Sequence, residues 1–448
     1  MRIMIVGAGQ VGRYLCEKFS GEGEEVVLID RDEQKVRRLE RDLNIMGVVG
    51  SGASARILAE AGIARTNLFI AVTDSDEVNL MSCIMSKNYD LDKRIARVRN
   101  EDYLTLGHPL NEEALGIDMI ISPDWAMAEE ILQLCQVSEA VDVSEFVGGQ
   151  VLLLGYRVRS DNPCAGRTLV DIKKMHGSHN FVMVAIVRNG STIIPGGRDR
   201  ILIGDTMYLT VRKNDLAAVE SIFGLASRSL ELVFIIGGGT TGYMVARQLE
   251  ENGISVRIVE QDEKRCEFLT ENLSSTLVLN LDGLEAHDLL EEGIDQADQV
   301  IAVTDSDTTN ILASLLAKHH GARKCVARID SPDFIPLLGK LGIDTTLSPR
   351  QVAANMILHF VRRGTVVSVA TIMGGNAEVI EIVVPESDRF RKIPLKEVDF
   401  PRGAVVGAVF RDDRIFIPTG DTIMDPGDTL VIFFTNKARK AVVSFFEA

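Results

Sequence analysis

Along the first 138 residues, short apolar runs alternate with amphipathic stretches. "RIMIVG" at the start is predicted as a buried strand. "VGRYLCEKFSG", apolar at helical spacing, is predicted as a helix closed by Gly21. "EVVLID" reads as a second strand, "QKVRRLERDL" as a helix and "IMGVVG" as a third strand; "NLFIAVT" and "RIARV" are the fourth and fifth. Strands this short, alternating with helices, predict a parallel sheet with helices on both faces.

The same rhythm returns from Val233. "IMIVGAGQVGRYLCEKF" matches "VFIIGGGTTGYMVARQL", "VVLIDRDEQK" matches "VRIVEQDEKR", "AVTDSDEVNL" matches "AVTDSDTTNI", and "GIDMIISP" matches "GIDTTLSP". The order is kept throughout, and the period is far too long for a solenoid, so a whole domain is duplicated. Between the copies, "EFVGGQVLLLGYRV" and "IPGGRDRILIGDTMYLTV" alternate as in small β-rich modules. The tail repeats them in "IPTGDTIMDPGDTLVIFF", where Gly420, Gly427 and Asp428 correspond to Gly197, Gly204 and Asp205. The chain thus divides into an α/β unit over 1–138, a module over 139–226, a second α/β unit over 227–364 and a second module over 365–448.

Composition narrows the class. The 448 residues are 46% hydrophobic and 25% charged, which suits soluble globular domains. No apolar run is long enough for a membrane-spanning helix, and "MRIMIVGAGQ" reads as a strand rather than a signal peptide. Cys16, Cys83, Cys135, Cys164, Cys266 and Cys325 are scattered without a CxxC, which points to a reducing compartment and away from disulfides or structural zinc. A net charge of −16 repels nucleic-acid phosphates and anionic lipid. No nucleic-acid partner is expected, and work at a membrane would need a second protein as anchor.

Gly7-Ala8-Gly9-Gln10-Val11-Gly12 is a GxGxxG between a predicted strand and a predicted helix, and Asp30 ends the next strand. Gly237-Gly238-Gly239-Thr240-Thr241-Gly242 followed by Glu260 repeats the arrangement. In such a motif the first glycine permits a tight turn, the second a close approach of pyrophosphate, and the third close packing of helix on strand. The helix N-terminus offers free N–H groups and partial positive charge to phosphates. Asp30 and Glu260 would bond ribose hydroxyls and repel a 2′-phosphate, favouring NAD or an adenine nucleotide, although Arg31 could admit NADP. The alternative is that the glycines serve packing alone. It weighs more for the second copy, where Asn280 takes the place of Gly50.

"AVT" ends the fourth strand in each copy, at the carboxyl edge where ligands bind in such sheets. Thr73 and Asp74, with Thr304 and Asp305, could present groups to an adenine or ribose, or Asp74 or Ser75 and Asp305 or Ser306 could cap the following helix. Arg97, Arg99 and Arg328 end the fifth strands and could fork onto phosphate. Tyr14–Lys18 and Tyr89–Lys93 match YxxxK, but neither sits where hydride chemistry needs a proton donor. His176, His179, His319 and His320 lack the neighbours a metal site requires, and no GxxxxGK[ST] is present. No catalytic and no metal residue is assigned. Two dinucleotide folds without visible catalytic apparatus suggest a sensor.

The segments "IVGAGQVG", "LID", "VVGSGAS", "AVTDSDEVN", "RIARVR", "IIGGGTTG", "IVE", "AVTDSDTTN" and "VARID", in this four-part layout, resemble the cytosolic regulatory subunits of Trk potassium uptake systems, built from regulator-of-potassium-conductance (RCK, or KTN) domains. The resemblance covers essentially the whole chain. It implies two Rossmann-like, doubly wound parallel-sheet domains, each followed by a small α+β RCK C-terminal module. It implies binding of NAD or NADH and of ATP or ADP, a homo-oligomeric ring expected to be a tetramer, and gating of a Trk-type membrane potassium channel subunit from the cytoplasmic face of the membrane. The family's nucleotide contacts fall on Gly7, Ala8, Gly9, Gln10, Val11, Asp30, Ser51, Thr73, Asp74 and Arg97. In the second copy they fall on Gly237, Gly238, Gly239, Thr240, Thr241, Glu260, Thr304, Asp305 and Arg328. Leu281 is expected where the first copy has Ser51, so the first site is expected to be the better binder. Rival readings are an NAD-dependent oxidoreductase with the modules as substrate domains, a nucleotide sensor for another ion transporter, and a duplicated scaffold with vestigial glycines.

Overall fold

The computed structural model describes residues 1–100, 103, 112–137, 139–176, 181–225, 229–331, 333–361, 366–372, 377–386, 393–412 and 414–447. The first α/β unit runs β1 (Arg2–Val6), α1 (Gln10–Gly21), β2 (Glu25–Asp30), α2 (Glu33–Asp42), β3 (Met46–Val49), α3 (Ala55–Glu60), β4 (Leu68–Ala71), α4 (Asp76–Ser86), β5 (Lys93–Arg97), α5 (Glu112–Leu115), β6 (Met119–Ile121) and α6 (Pro123–Gln136). Its module follows with β7 (Asp142–Phe146), β8 (Val151–Arg157), α7 (Leu169–His176), β9 (Phe181–Arg188), β10 (Ser191–Ile193), β11 (Thr206–Arg212) and α8 (Leu216–Ile222).

The second unit repeats the first as β12 (Leu232–Ile236), α9 (Thr240–Glu251), β13 (Ser255–Glu260), α10 (Glu263–Asn272), β14 (Leu277–Asn280), α11 (Ala286–Glu291), β15 (Gln299–Ala302), α12 (Asp307–His320), β16 (Lys324–Arg328), α13 (Ile335–Leu341), β17 (Thr345–Leu347) and α14 (Pro349–Val361). Its module holds β18 (Val366–Ile372), β19 (Ala377–Val383), β20 (Ala404–Arg411), β21 (Arg414–Phe416), β22 (Thr429–Thr435) and α15 (Arg439–Glu447).

Each unit has a six-stranded parallel sheet, ordered β3-β2-β1-β4-β5-β6 and β14-β13-β12-β15-β16-β17. The order reverses beside the first strand, which opens a crevice at the carboxyl edge. The central strands are buried on both faces, so they read as continuous apolar runs. Side-chain caps start the helices: Asp32 accepts from the Gln34 and Lys35 N–H groups, Ser122 from Trp125 with Pro123 at the first turn, and Asp262 from Arg265. Gly21 is the last residue of α1, but the reversal belongs to Gly23. Its φ of +86° suits glycine, and its N–H bonds the Ser20 carbonyl.

The last helix of each unit covers the other unit's sheet. Ala126, Met127 and Ile131 of α6 pack with Val233, Ile235, Val245 and Leu249 of the second unit. Ala353, Ala354, Ile357 and Leu358 of α14 pack with Ile3, Ile5, Val11 and Leu15 of the first. Two equivalent lysines fasten the exchange. Lys93 donates to the Phe360 carbonyl at 2.6 Å near the end of α14, and Lys324 to the Leu134 carbonyl at 3.1 Å near the end of α6. Each ammonium answers the negative end of a helix. Burial pulls the Lys324 pKa down to about 8.

The modules carry five-stranded antiparallel sheets, ordered β10-β9-β11-β8-β7 and β18-β19-β22-β20-β21. They meet face to face, with Phe146, Leu153 and Tyr208 against Val379, Val431 and Phe433. Thr210 Oγ1 donates to the Gly407 carbonyl across the seam at 2.9 Å, where a Cβ on Gly407 would lie 2.7 Å from the Thr210 side chain. The repeated Gly-Asp turns acquire a role here. Asp205 and Asp428, both 2% exposed, each take a two-pronged bond, from Arg188 (2.8 Å and 2.8 Å) and Arg411 (2.6 Å and 2.7 Å).

Arg188→Ala strands a buried carboxylate, and should destabilise by about 3–5 kcal/mol in urea unfolding. Asp205→Ala should cost less, because Arg188 is partly exposed and can rehydrate. At the junction of α6 and the first module, burial and the charge of Asp142 push the Glu130 carboxyl up to about 7, and burial raises Asp142 to about 6. A carboxyl whose pKa is higher in the folded state binds protons more tightly there, so stability falls as pH rises from the ordinary glutamate range to about 7, and then levels. Glu130→Gln should therefore melt above the parent at pH 8 and lose that advantage near pH 5.

Candidate functional site

The helix exchange turns the carboxyl edges of the two sheets toward each other. Both glycine loops line one continuous cleft of about 1310 Å³. Gly7 and Gly237 have φ of +114° and +110°, and a Cβ on either would lie 2.9 Å from the backbone nitrogen of Thr73 or Thr304. A Cβ on Gly12 or Gly242 would lie 1.8 or 2.0 Å from the carbonyl oxygen of the first glycine in its own motif. Gly9 and Gly239 differ, since a Cβ there meets nothing within 4 Å. The first and third glycines are demanded by packing, whereas the second leaves open space where a phosphate would rest.

The acids are aimed by backbone. Asp30 Oδ2 accepts from the Ala8 N–H at 2.5 Å and Oδ1 from Asp32 at 2.8 Å. Glu260 Oε2 accepts from Gly238 at 2.8 Å and Oε1 from Asp262 at 2.9 Å. Both carboxylates stand beside their glycine loops and line the cleft, with lone pairs left for ribose hydroxyls. Ser51 lines it too, and its hydroxyl accepts from Arg31 at 3.1 Å.

The repeated "AVTDSD" loops are held by an asparagine whose role the sequence alone did not reveal. Asn79 is fully buried. Its Oδ1 accepts from the Thr73 N–H (2.8 Å) and hydroxyl (2.7 Å), and its amide donates to the carbonyls of Thr73 (3.1 Å) and Arg97 (2.9 Å). Asn310 does the same for Thr304 and Arg328. One amide thus ties the end of the fourth strand to the end of the fifth, and keeps the threonine hydroxyl inside the loop. Ser75 and Ser306 cap the next helices, by accepting from Val78 and Thr309. The only sequence signal was an asparagine at the same offset in both copies.

The third strands correct one expected equivalence. Asp30 pairs with Val49 and Glu260 with Asn280, so Asn280 stands for Val49 and Leu281 for Gly50. The counterpart of Ser51 is Asp282. Gly52 and Gly283 confirm the alignment, since a Cβ on them would lie 2.2 Å from Val6 and 2.4 Å from Ile236. The sequence match had slipped by one residue.

The two halves of the cleft differ in charge. Arg97 makes no ion pair among the described residues, and its Nε is buried without a partner. Burial first, and then Arg99, lower its pKa to about 10, against the opposing pull of Asp76, Asp124 and Asp74, so it stays charged at neutral pH. Arg328 is instead paired with Asp305 at 3.0 Å and Asp330 at 3.4 Å. Asp124, in the first turn of α6, accepts from Thr241 Oγ1 at 3.1 Å, at the mouth of the second glycine loop. Arg350 occupies the equivalent turn of α14 and lines the cleft. Tyr14, Tyr89, His319 and His320 do not line the cleft. His179 and the side chain of His176 lie outside the described residues.

The glycine geometry separates fold from binding. Gly12→Ala should lower the melting temperature sharply, because the new Cβ overlaps the Gly7 carbonyl. Gly9→Ala should melt like the parent and yet lose stabilisation by nucleotide, as read by thermal melting with and without ligand.

The TrkA-N domain model matches residues 3–123 and 233–349, and the TrkA-C domain model matches 153–224 and 379–447. The Trk system potassium uptake protein TrkA homolog 2 of Methanosarcina mazei is 34% identical over 456 residues, covering 100% of both chains. The Trk system potassium uptake protein TrkA of Halomonas elongata is 33% identical, covering 98% of this chain and 97% of its own. Among solved structures, a GsuK channel bound to NAD shares the fold with a TM-score of 0.61 at 22% identity, over 100% of this chain and 79% of that one. Duplicated parallel sheets, antiparallel modules and full-length similarity agree: the chain belongs to the TrkA family of Trk system potassium uptake proteins.

Proposed function

We propose that this protein is a nucleotide-sensing regulatory subunit that gates a Trk-type membrane potassium channel subunit. It works from the cytoplasmic face as a homo-oligomeric ring, which we take to be a tetramer. The division into 1–138, 139–226, 227–364 and 365–448 is kept, with the two α/β units as nucleotide receivers. NAD or NADH and ATP or ADP are the ligands. The observation that carries this reading is the opposed pair of glycine loops in one cleft, each with an acid held beside it by a backbone N–H group. The names of the relatives support the potassium partner, and the NAD-bound neighbour of like fold supports the ligand class.

Binding would act on shape. A nucleotide in the cleft touches loops of one unit and the first turn of a helix from the other, so it favours one arrangement of the two units over another. A tenfold preference for one arrangement contributes about 1.4 kcal/mol per site, and sites in a ring add. A dehydrogenase would use the same glycine loops. It is set apart by turnover, and a sensor for another ion transporter by the partner recovered from membranes.

The test is thermal melting of the purified protein with NAD, NADH, NADP, ATP and ADP, alongside absorbance for turnover. Ligand at a hundred times its dissociation constant should stabilise by about 2.7 kcal/mol. Asp30→Ala should remove most of that gain at the first site, and potassium uptake in cells carrying it should lose its response to nucleotide. Stabilisation by no nucleotide would refute the sensor, and hydride turnover would favour the dehydrogenase.

A further inference from the structure

The two halves of the cleft are superficially twins, yet equivalent positions differ in charge in one direction only. Arg31 of the first half corresponds to Gln261 of the second, Ser51 to Asp282, and Arg99 to Asp330. The largest contrast comes from the exchanged helices. The first half receives Arg350 from α14, and the second receives Asp124 from α6. Resting on the nucleotide reading above, we propose that the cleft is divided by phosphate charge. The first half takes a nucleoside polyphosphate, the second takes an adenine nucleoside or its monophosphate, and Arg350 and Asp124 enforce the division from opposite units.

Three observations support this. Arg350 lines the cleft and, like Arg97, makes no ion pair among the described residues; the buried, unpartnered Nε of each is shared by Arg328 and does not set them apart. Neither guanidinium is held in an ion pair among the described residues, although the charges of Asp76, Asp124 and Asp74 act on Arg97 from a distance, so both can still turn a charge-assisted fork onto added phosphate. In the second half the corresponding cation is already spent: Arg328 is neutralised by Asp305 and Asp330. The mouth of the second glycine helix is also occupied by a carboxylate, since Asp124 accepts from Thr241 Oγ1 at 3.1 Å. In the first half Val11 holds the position of Thr241, with no hydroxyl to make such a bond. A polyphosphate entering the second half would have to displace Asp124 and sit beside Asp282 and Asp330. An uncharged adenosine would keep its ribose bonds to Glu260 and meet no repulsion.

Calorimetric titration of the full chain with ATP, ADP, AMP and adenosine, in magnesium-free buffer, tests the division. The parent should bind one ATP per chain. Gly9→Ala should abolish that binding and Gly239→Ala should leave it. Arg350→Gln should weaken ATP about tenfold or more and AMP less than about threefold, a gap equal to a sizeable fraction of one charge-assisted contact. Asp124→Asn should open a second ATP site. Exchange of the pair, Asp124→Arg with Arg350→Asp, should move ATP to the second half, so that Gly239→Ala and no longer Gly9→Ala abolishes binding. If Arg350→Gln melts below the parent, Arg350→Lys carries the test: retention of the ATP preference supports a charge role, and its loss overturns it. Two equal ATP sites in the parent, or equal weakening of ATP and AMP by Arg350→Gln, would overturn the division while leaving the nucleotide sensor standing. Absence of binding by every nucleotide would overturn both.

Discussion

The exchange of α6 and α14 is the packing on which the rest of the molecule depends. A parallel sheet must be covered on both faces, and here one layer of each cover comes from the other unit. Neither sheet is complete without its twin. The apolar faces of Ile131 and Ile357 drive the exchange, and Lys93 and Lys324 fasten its far ends. Because both helices start at the cleft and end in the exchange, the first turn of each is delivered to the other unit's glycine loop.

This arrangement makes the cleft a joint between units rather than a pair of private pockets. Within each unit the loop geometry is closely constrained: the first and third glycines allow no side chain, the acid is held by two N–H groups, and Asn79 or Asn310 ties two strand ends together. Between units, Asp124 accepts from Thr241 across the cleft. The face-to-face module sheets extend the same pairing and bind the second pair of domains to the first.

Charge is the property in which the duplicated halves have parted. The backbone scaffolds agree down to matching hydrogen bonds on Asn79 and Asn310, whose distances differ by no more than a tenth of an ångström. Scaffold positions are constrained by packing and by the cost of unsatisfied buried groups. Side chains that face the cleft are not part of that scaffold, so Arg99 and Asp330, or Arg350 and Asp124, can differ in sign on an unchanged frame.

The sequence by itself determined the duplication, the strand and helix order, the two glycine motifs, and Asp30 and Glu260 at their strand ends. These are local: hydrophobic period, turn chemistry and fixed spacing are written in consecutive residues. Three things were decided by the tertiary structure alone. The alignment of Ser51 with Asp282 rather than Leu281 was set by strand register and by the close approach of Gly52 and Gly283 to the first strands. The clamp role of Asn79 and Asn310 needed two strand ends side by side. The placing of Asp124 and Arg350 needed the helix exchange, which brings residues from one unit to the glycine loop of the other. No local pattern encodes that placement, because it arises from which apolar face each helix finds to bury, a property of the assembled core.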